Sequence, residues 1–291
     1  MTNPSVSALK SAHWNGDDLI FESDDAFERA LDDGCFYLAI PEGIDLAPAV
    51  RLARNFYRFV GEGDPDPIWC NFRGREGIYF DREHYQTEHI LADEAQRRTN
   101  FPAPALEATE AMTRLTQVCL RSVLARLGIA PTIWQQVTGG ASHGMGTHWF
   151  AFSHYRSDRD QLGCAPHQDT GFLTILYIDQ PGLEALTPVG WQSIDPVEGH
   201  FVVNFGASLE HLTATWRRPV HAILHRVRRC HPEPGREDRF SFAAFANPPA
   251  SGEQFQIDAS GAPVPTGSVE AFLREFNAKT WHDSHDEFGI Q

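Results

Sequence analysis

From Trp149 onward the chain is cut into short runs rich in β-branched and aromatic residues: WFAFSHY (149–155), FLTILYI (172–178), GWQSI (190–194), FVVNF (201–205), AILHRV (222–227) and RFSFAAF (239–245). Clusters of Gly, Pro and Asp separate them. Many short strands at fairly even spacing indicate a β-sandwich or jelly roll, in which each strand buries one face. This rhythm constrains the fold more than any other feature of the sequence.

The first half reads differently. Ser23 caps a short helix that runs to about Asp33 and stops at Gly34, and CFYLAI (35–40) follows as a strand. Asp45 opens a second helix, closed by Gly61, and NFRGREGIYFDREHYQ (71–86) is a loop. The longest helix lies between Pro104 and Leu127. Its Met112, Leu115, Cys119, Val123 and Leu127 recur at steps of three or four and make one apolar stripe, with Gly128 as the stop. SVEAFLREFNAKTW (268–281) adds a helix capped by Ser268. The expected architecture is mostly β with flanking helices. It divides into a mixed, helical region packed on the core (1–140), a jelly-roll core with the site (141–250) and a C-terminal helix and tail (251–291), all one structural unit.

Charge narrows the choice of partner. Lys and Arg number 24 against 39 Asp and Glu, a net charge of −15. Such a surface repels phosphate backbones and anionic lipid, so nucleic acid and membrane surfaces are not expected as partners. The N-terminus lacks the basic start and apolar run of a signal peptide, and no 18-residue apolar run is present. The cysteines, Cys35, Cys70, Cys119, Cys164 and Cys230, are odd in number, scattered and free of C-x-x-C spacing. That argues against a disulfide framework or a structural zinc site and for a cytoplasmic protein.

The chemistry concentrates in CAPHQDTGFLTILY (164–177). In an extended strand, residues i and i+2 share a side, so His167 and Asp169 aim an imidazole and a carboxylate together, a pair that suits a divalent metal. With 14 histidines and 39 acids among 291 residues, about two H-x-[DE] pairs arise by chance. Three occur. His231/Glu233 sits in the loop CHPEPGRED and His285/Glu287 in a polar tail; only His167/Asp169 stands at the mouth of a strong strand pattern. A third ligand must come from a distant strand, and His200, His211, His221, His225 and His231 are the candidates. His225 lies in the strand-like AILHRV, 56 residues past Asp169, with His221 four residues before it as a competitor. Farther on, Arg239 and Ser241 again share a face, and a guanidinium beside a hydroxyl makes a clamp for a carboxylate.

Taken in order, HQD (167–169), FLTIL (172–176), GLEAL (182–186), Trp191, VVNFGASLEHLT (202–213), HRV (225–227) and RFS (239–241) resemble the isopenicillin-N-synthase-like branch of the iron(II)- and 2-oxoglutarate-dependent oxygenases. DDAFERALDDGCFYLAIPEGI (24–44) resembles that family's N-terminal region, so the similarity spans roughly residues 20–249. The resemblance implies a double-stranded β-helix. It implies His167, Asp169 and His225 as Fe(II) ligands, and Arg239 and Ser241 as the clasp on the distal carboxylate of 2-oxoglutarate. FSHYR (152–156) stands where the family has N-Y-Y-P, which makes Tyr155 a further 2-oxoglutarate contact; Ser153 and Arg156 replace the asparagine and the proline. Arg75, in REGIY, resembles a loop position that contacts substrate in some members of the family, beside the plainer reading of an exposed loop arginine; Trp149 is a candidate pocket-lining residue for substrate, beside the plainer reading of a core tryptophan.

The implied reaction consumes dioxygen and 2-oxoglutarate, releases succinate and carbon dioxide, and hydroxylates, desaturates or cyclises a small molecule of specialised metabolism. The presence of Asp169 argues against the related halogenases, which lack the carboxylate. Two rivals stand beside this reading. One is an Fe(II) oxidase of the isopenicillin N synthase type, which uses no 2-oxoglutarate and for which the terminal Gln291 would be a resting-state ligand. The other is a non-catalytic jelly-roll module that binds a metal.

Overall fold

The computed structural model describes residues 9–280 apart from 63, 65 and 233. In chain order its strands are β1 (Ser11–Trp14), β2 (Leu19–Phe21), β3 (Cys35–Ala39), β4 (Tyr79–Asp81), β5 (Thr87–Ala92), β6 (Phe150–Tyr155), β7 (Cys164–His167), β8 (Leu173–Ile178), β9 (Leu183–Thr187), β10 (Gly190–Ile194), β11 (His200–Phe205), β12 (His225–Val227), β13 (Phe240–Ala246), β14 (Glu253–Ile257) and β15 (Pro263–Ser268). The helices are α1 (Ala26–Asp33), α2 (Ala47–Asn55), α3 (Glu94–Asn100), α4 (Ala103–Arg126), α5 (Trp134–Val137), α6 (Ala207–Thr213) and α7 (Val269–Thr280).

Two sheets face each other as a jelly roll. The larger has the order β2-β1-β3-β11-β8-β13-β6-β5-β4, and the smaller β10-β9-β12-β7. Alternation along the central strands explains the layering. Phe150 and Phe152 on β6, and Phe240, Phe242 and Ala244 on β13, belong to the buried core under the helices. The intervening Ala151, Ser153, Tyr155, Ser241 and Ala243 line the cavity between the sheets. Helix α4 packs on β13 and β8, and α2 on β13 and β6. The stripe Met112, Leu115, Cys119 and Val123 is almost fully buried there.

Several local expectations hold and several shift. Gly34 ends α1 in the left-handed conformation (φ 75°), and Ser268 Oγ accepts the Ala271 N–H at the start of α7 (3.1 Å). The second helix stops at Asn55 instead of reaching Gly61. The carbonyls of Phe56 and Arg58 accept N–H groups from Phe72 and Asn71 (2.9 and 2.8 Å), which draws the chain into a loop. In AILHRV only the last three residues pair as a strand. Ala222 turns its N–H to the Glu210 carboxylate (3.1 Å) and its carbonyl to Gln168 (2.6 Å). The N-terminal half supplies strands β1–β5 to the larger sheet, not only helices against it, and a hairpin, β14–β15, precedes the last helix.

Outside the cavity, β5 and β6 carry a buried ionic network. The fully buried Glu88 accepts from Arg73 Nε and Nη2 (2.7 and 2.5 Å), Tyr79 Oη (2.6 Å) and His154 Nδ1 (2.9 Å). His154 lies flat on the Tyr57 ring, with centroids 3.5 Å apart, and its Nε2 reaches Asp238 (3.1 Å). Burial alone would raise the Glu88 carboxyl, but the Arg73, His154 and Tyr79 donors outweigh it and hold the group well below the usual range. Breaking a buried pair costs about 3–5 kcal/mol. Arg73 is about a third exposed, so the lower end applies, and Glu88→Gln is expected to cost about 3 kcal/mol by urea unfolding at neutral pH. A depressed folded pKa stabilises above the unfolded value of about 4.3 and loses that contribution as pH falls below it. The gap between native and variant should therefore shrink below about pH 4; an unchanged gap would remove Glu88 as its source.

Candidate metal centre

The register of β7 and β12 assembles the first pair of ligands. His225 is the direct antiparallel partner of His167, and the two rings lie 4.4 Å apart. Each ring is oriented by its own strand: His167 donates its Nδ1–H to the Ala165 carbonyl (2.8 Å), and His225 donates its Nδ1–H to Ile223 (3.2 Å). A carbonyl only accepts, so Nδ1 carries the proton in both and the Nε2 lone pairs point inward. Asp169 follows β7 by two residues. Its Oδ1 is 3.9 Å from His167 Nε2 and 3.8 Å from His225 Nε2.

Those separations are too long for hydrogen bonds. The three ligand atoms, all within 4.8 Å of one another, face a common point without bonding across it, as donors around a cation do. Burial pushes the His225 imidazole below its ordinary value, which keeps that ring a neutral donor at ordinary pH. Asp169 and His225 are buried and His167 is half-buried. Two imidazoles and one carboxylate are a donor set that fits Fe(II) and leaves one face of the metal open.

Arg239, Ser241 and Tyr155 sit together deeper in the same cavity. All three are buried, with exposures of 3, 4 and 5%. Tyr155 Oη and Ser241 Oγ share a hydrogen bond (3.1 Å). The Arg239 guanidinium lies over the Tyr155 ring (4.4 Å to the centroid), and its Nε donates to the Gln180 carbonyl (3.3 Å). Its Nη1 is buried and has no hydrogen-bond partner. A buried guanidinium donor left open beside two hydroxyls is what a bound carboxylate would satisfy.

Trp149 also lines the cavity, half-buried, whereas Arg75 is not among the lining residues: its guanidinium stacks on Phe72 (3.9 Å) and bonds the Asn71 carbonyl. His221 pairs with Glu210 (3.3 Å) on the surface and does not join the ligand cluster. The basic residues of the Arg217–Arg229 region are engaged locally: Arg218 with Glu28 and Asp32, Arg226 with Glu184, and Arg229 with Asp160. Gln291 lies outside the described residues.

The sequence reading gave no role to Leu91 on β5, Asn204 on β11, Phe245 on β13 or Phe276 on α7, all of which line the cavity. The signal for Phe245 was present, since it continues the i, i+2 series that begins at Ser241. Phe276 reaches the cavity through tertiary packing of α7, which no local pattern reveals.

A jelly roll with two histidines and one carboxylate converging between its sheets presents a candidate mononuclear, non-haem metal site. Residues 147–248 match the family model of the 2OG-Fe(II) oxygenase superfamily. Oxidoreductase vrtI of Penicillium aethiopicum is 37% identical over 125 residues, which cover 42% of this chain and 26% of that protein. 2-Oxoglutarate-dependent dioxygenase iboH of Amanita muscaria is 32% identical over 136 residues, or 45% of this chain and 58% of the relative. The chain thus spans less than two thirds of the length of these relatives. The crystal structure of JOX2 in complex with 2OG, Fe and JA superposes with a TM-score of 0.67 at 17% identity, covering 94% of this chain and 86% of that one, which establishes the shared fold.

Proposed function

We propose that this protein is an Fe(II)/2-oxoglutarate-dependent dioxygenase that hydroxylates, desaturates or cyclises a small-molecule substrate. One observation carries the reading. A single cavity holds, at one place, three ligand atoms that face one another without bonding and, at another, a buried arginine nitrogen with no partner. The iboH and JOX2 likenesses support it, the latter through a fold seen with 2OG, Fe and JA together. A metal-binding module without a carboxylate ligand would leave the open Arg239 nitrogen without a purpose, whereas the oxidase rival is separated by its lack of succinate release.

His167, Asp169 and His225 would hold the iron. Bound there with 2-oxoglutarate, iron(II) supplies the means to activate dioxygen, with succinate and carbon dioxide as co-products. The chain's own residues set the geometry. Asp169 offsets one of the two positive charges. Arg239 and Ser241 bind the distal carboxylate, with Tyr155 holding the Ser241 hydroxyl in place. Trp149, Leu91, Phe245 and Phe276 wall the remainder of the cavity with apolar surface that excludes water and receives the substrate. A reducing compartment such as the cytoplasm suits the unbridged cysteines.

Anaerobic addition of 2-oxoglutarate to the Fe(II) protein is expected to produce a weak visible charge-transfer band that His225→Ala lacks. Candidate small molecules are then screened for succinate release above the substrate-free background. If folded native protein saturated with both ligands shows no band, the 2-oxoglutarate reading fails and the oxidase rival replaces it.

A further inference from the structure

Asp169 presents two oxygens with different surroundings. Oδ1 faces the histidines, whereas Oδ2 accepts a hydrogen bond from Asn204 Nδ2 (3.3 Å). Asn204 lies on β11, between Cys35 of β3 and Thr174 of β8, and is 1% exposed. Since a carboxylate oxygen only accepts, the amide must turn its nitrogen to Asp169. Its Oδ1 is then left buried at the cavity wall without a hydrogen-bond partner.

The backbone around Asp169 is held separately. Ala207 N–H donates to the Asp169 carbonyl (2.7 Å), Ser208 N–H to the Gly171 carbonyl (3.1 Å) and Ser208 Oγ to the Thr170 carbonyl (2.6 Å). The two segments approach so closely that a Cβ on Gly206 would stand 2.1 Å from the Gly171 carbonyl oxygen. The main chain of VVNFGAS (202–208) therefore fixes where Asp169 is, and the Asn204 side chain is left to fix which way its carboxylate turns.

We propose that Asn204 is a positioning residue for the metal centre: by holding Oδ2 it keeps Oδ1 aimed at the point faced by His167 and His225. The inference rests on the metal-site reading above and adds to it a residue that touches no reacting atom. Energetics favour a functional reason for the side chain. A buried amide with one long hydrogen bond and one open oxygen is a poor source of stability, and an apolar residue of similar volume is expected to fold at least as well. Partners that orient metal ligands typically contribute about 10–100-fold to metal affinity.

The test uses the full chain as native protein and as Asn204→Leu, Asn204→Ala and Asp169→Ala. Three quantities are read: the metal-free melting temperature, the Mn(II) dissociation constant by calorimetry and the visible bands of the Co(II) form. Native protein should bind Mn(II), and Asp169→Ala should not. Asn204→Leu should melt at or above the native temperature without metal yet bind Mn(II) about 10–100-fold more weakly. The visible bands of its Co(II) form should also differ from native. A purely structural asparagine predicts the reverse, a lower melting temperature with metal affinity intact, and that outcome overturns the proposal. Should either Asn204 variant melt early, the rise in melting temperature at saturating Mn(II) reports affinity on the same sample, and a rise as large as native also overturns it. Native protein that binds no Mn(II) would instead bring down the metal-centre reading, and this inference with it.

Discussion

Replacing His167, Asp169 or His225 by alanine is expected to abolish substrate-dependent succinate formation and to strip the protein of bound iron, while the fold survives. All three side chains end in the cavity, so their loss removes donors for the metal without opening the phenylalanine core on the other face of the sheet. The two histidines meet through the β7–β12 register, and no other described residue joins the cluster. His221→Ala is the internal control. His221 is paired with Glu210 and its side chain is 53% exposed, so its removal should leave iron content and turnover near native. Retained activity in His225→Ala with loss in His221→Ala would reverse the ligand assignment. Iron content and thermal melting are measured on every variant.

Arg239→Ala is expected to raise the apparent KM for 2-oxoglutarate by some thirty- to several-thousand-fold, because truncating one partner of a desolvated charge pair costs about 2–5 kcal/mol. The surroundings explain why the loss falls on binding. Nε is held by the Gln180 carbonyl and the guanidinium plane rests on Tyr155, so the group is held in place, with Nη1 unpartnered, before any ligand arrives. Arg239→Lys should recover only part, since an ammonium can neither stack in this way nor make a two-pronged contact. A 2-oxo acid without a distal carboxylate should be used poorly by the native protein and almost equally by Arg239→Ala. Iron affinity without 2-oxoglutarate should barely change. Saturation curves for both co-substrates decide the matter; an unchanged 2-oxoglutarate curve in folded Arg239→Ala would place the clasp elsewhere.

Much of the site was legible because it obeys local periodicity. His167 with Asp169 and Arg239 with Ser241 are both i, i+2 pairs, and strand geometry alone puts each pair on one side. His225 was legible as a candidate from its strand-like context, but its pairing opposite His167 depends on register between strands far apart in sequence. The same limit explains what was missed. Strands β1, β2, β4 and β5 lie in segments whose short or broken apolar runs carry little signal, and they form because neighbouring strands supply hydrogen-bond partners. Residues 56–60 keep an apolar, helix-like pattern, yet pairing with the following loop overrides it. Asn204 was in view within a quoted motif, but a lone buried amide shows its purpose only when its partner, 35 residues away, is seen beside it.

The position of β3 inside the larger sheet has a bearing on how this chain could be trimmed or fused. β11 is bonded on one side to β8 and on the other to β3, which comes from the N-terminal half. A truncation that begins at the superfamily match, residue 147, would take β3 away and turn the Asn204 strand into a bare edge. Such an edge offers its backbone to any passing strand and invites aggregation. The shortest useful version of the chain therefore starts upstream of β3, and a fusion partner or split point is better placed in an exposed turn than at the start of the superfamily match.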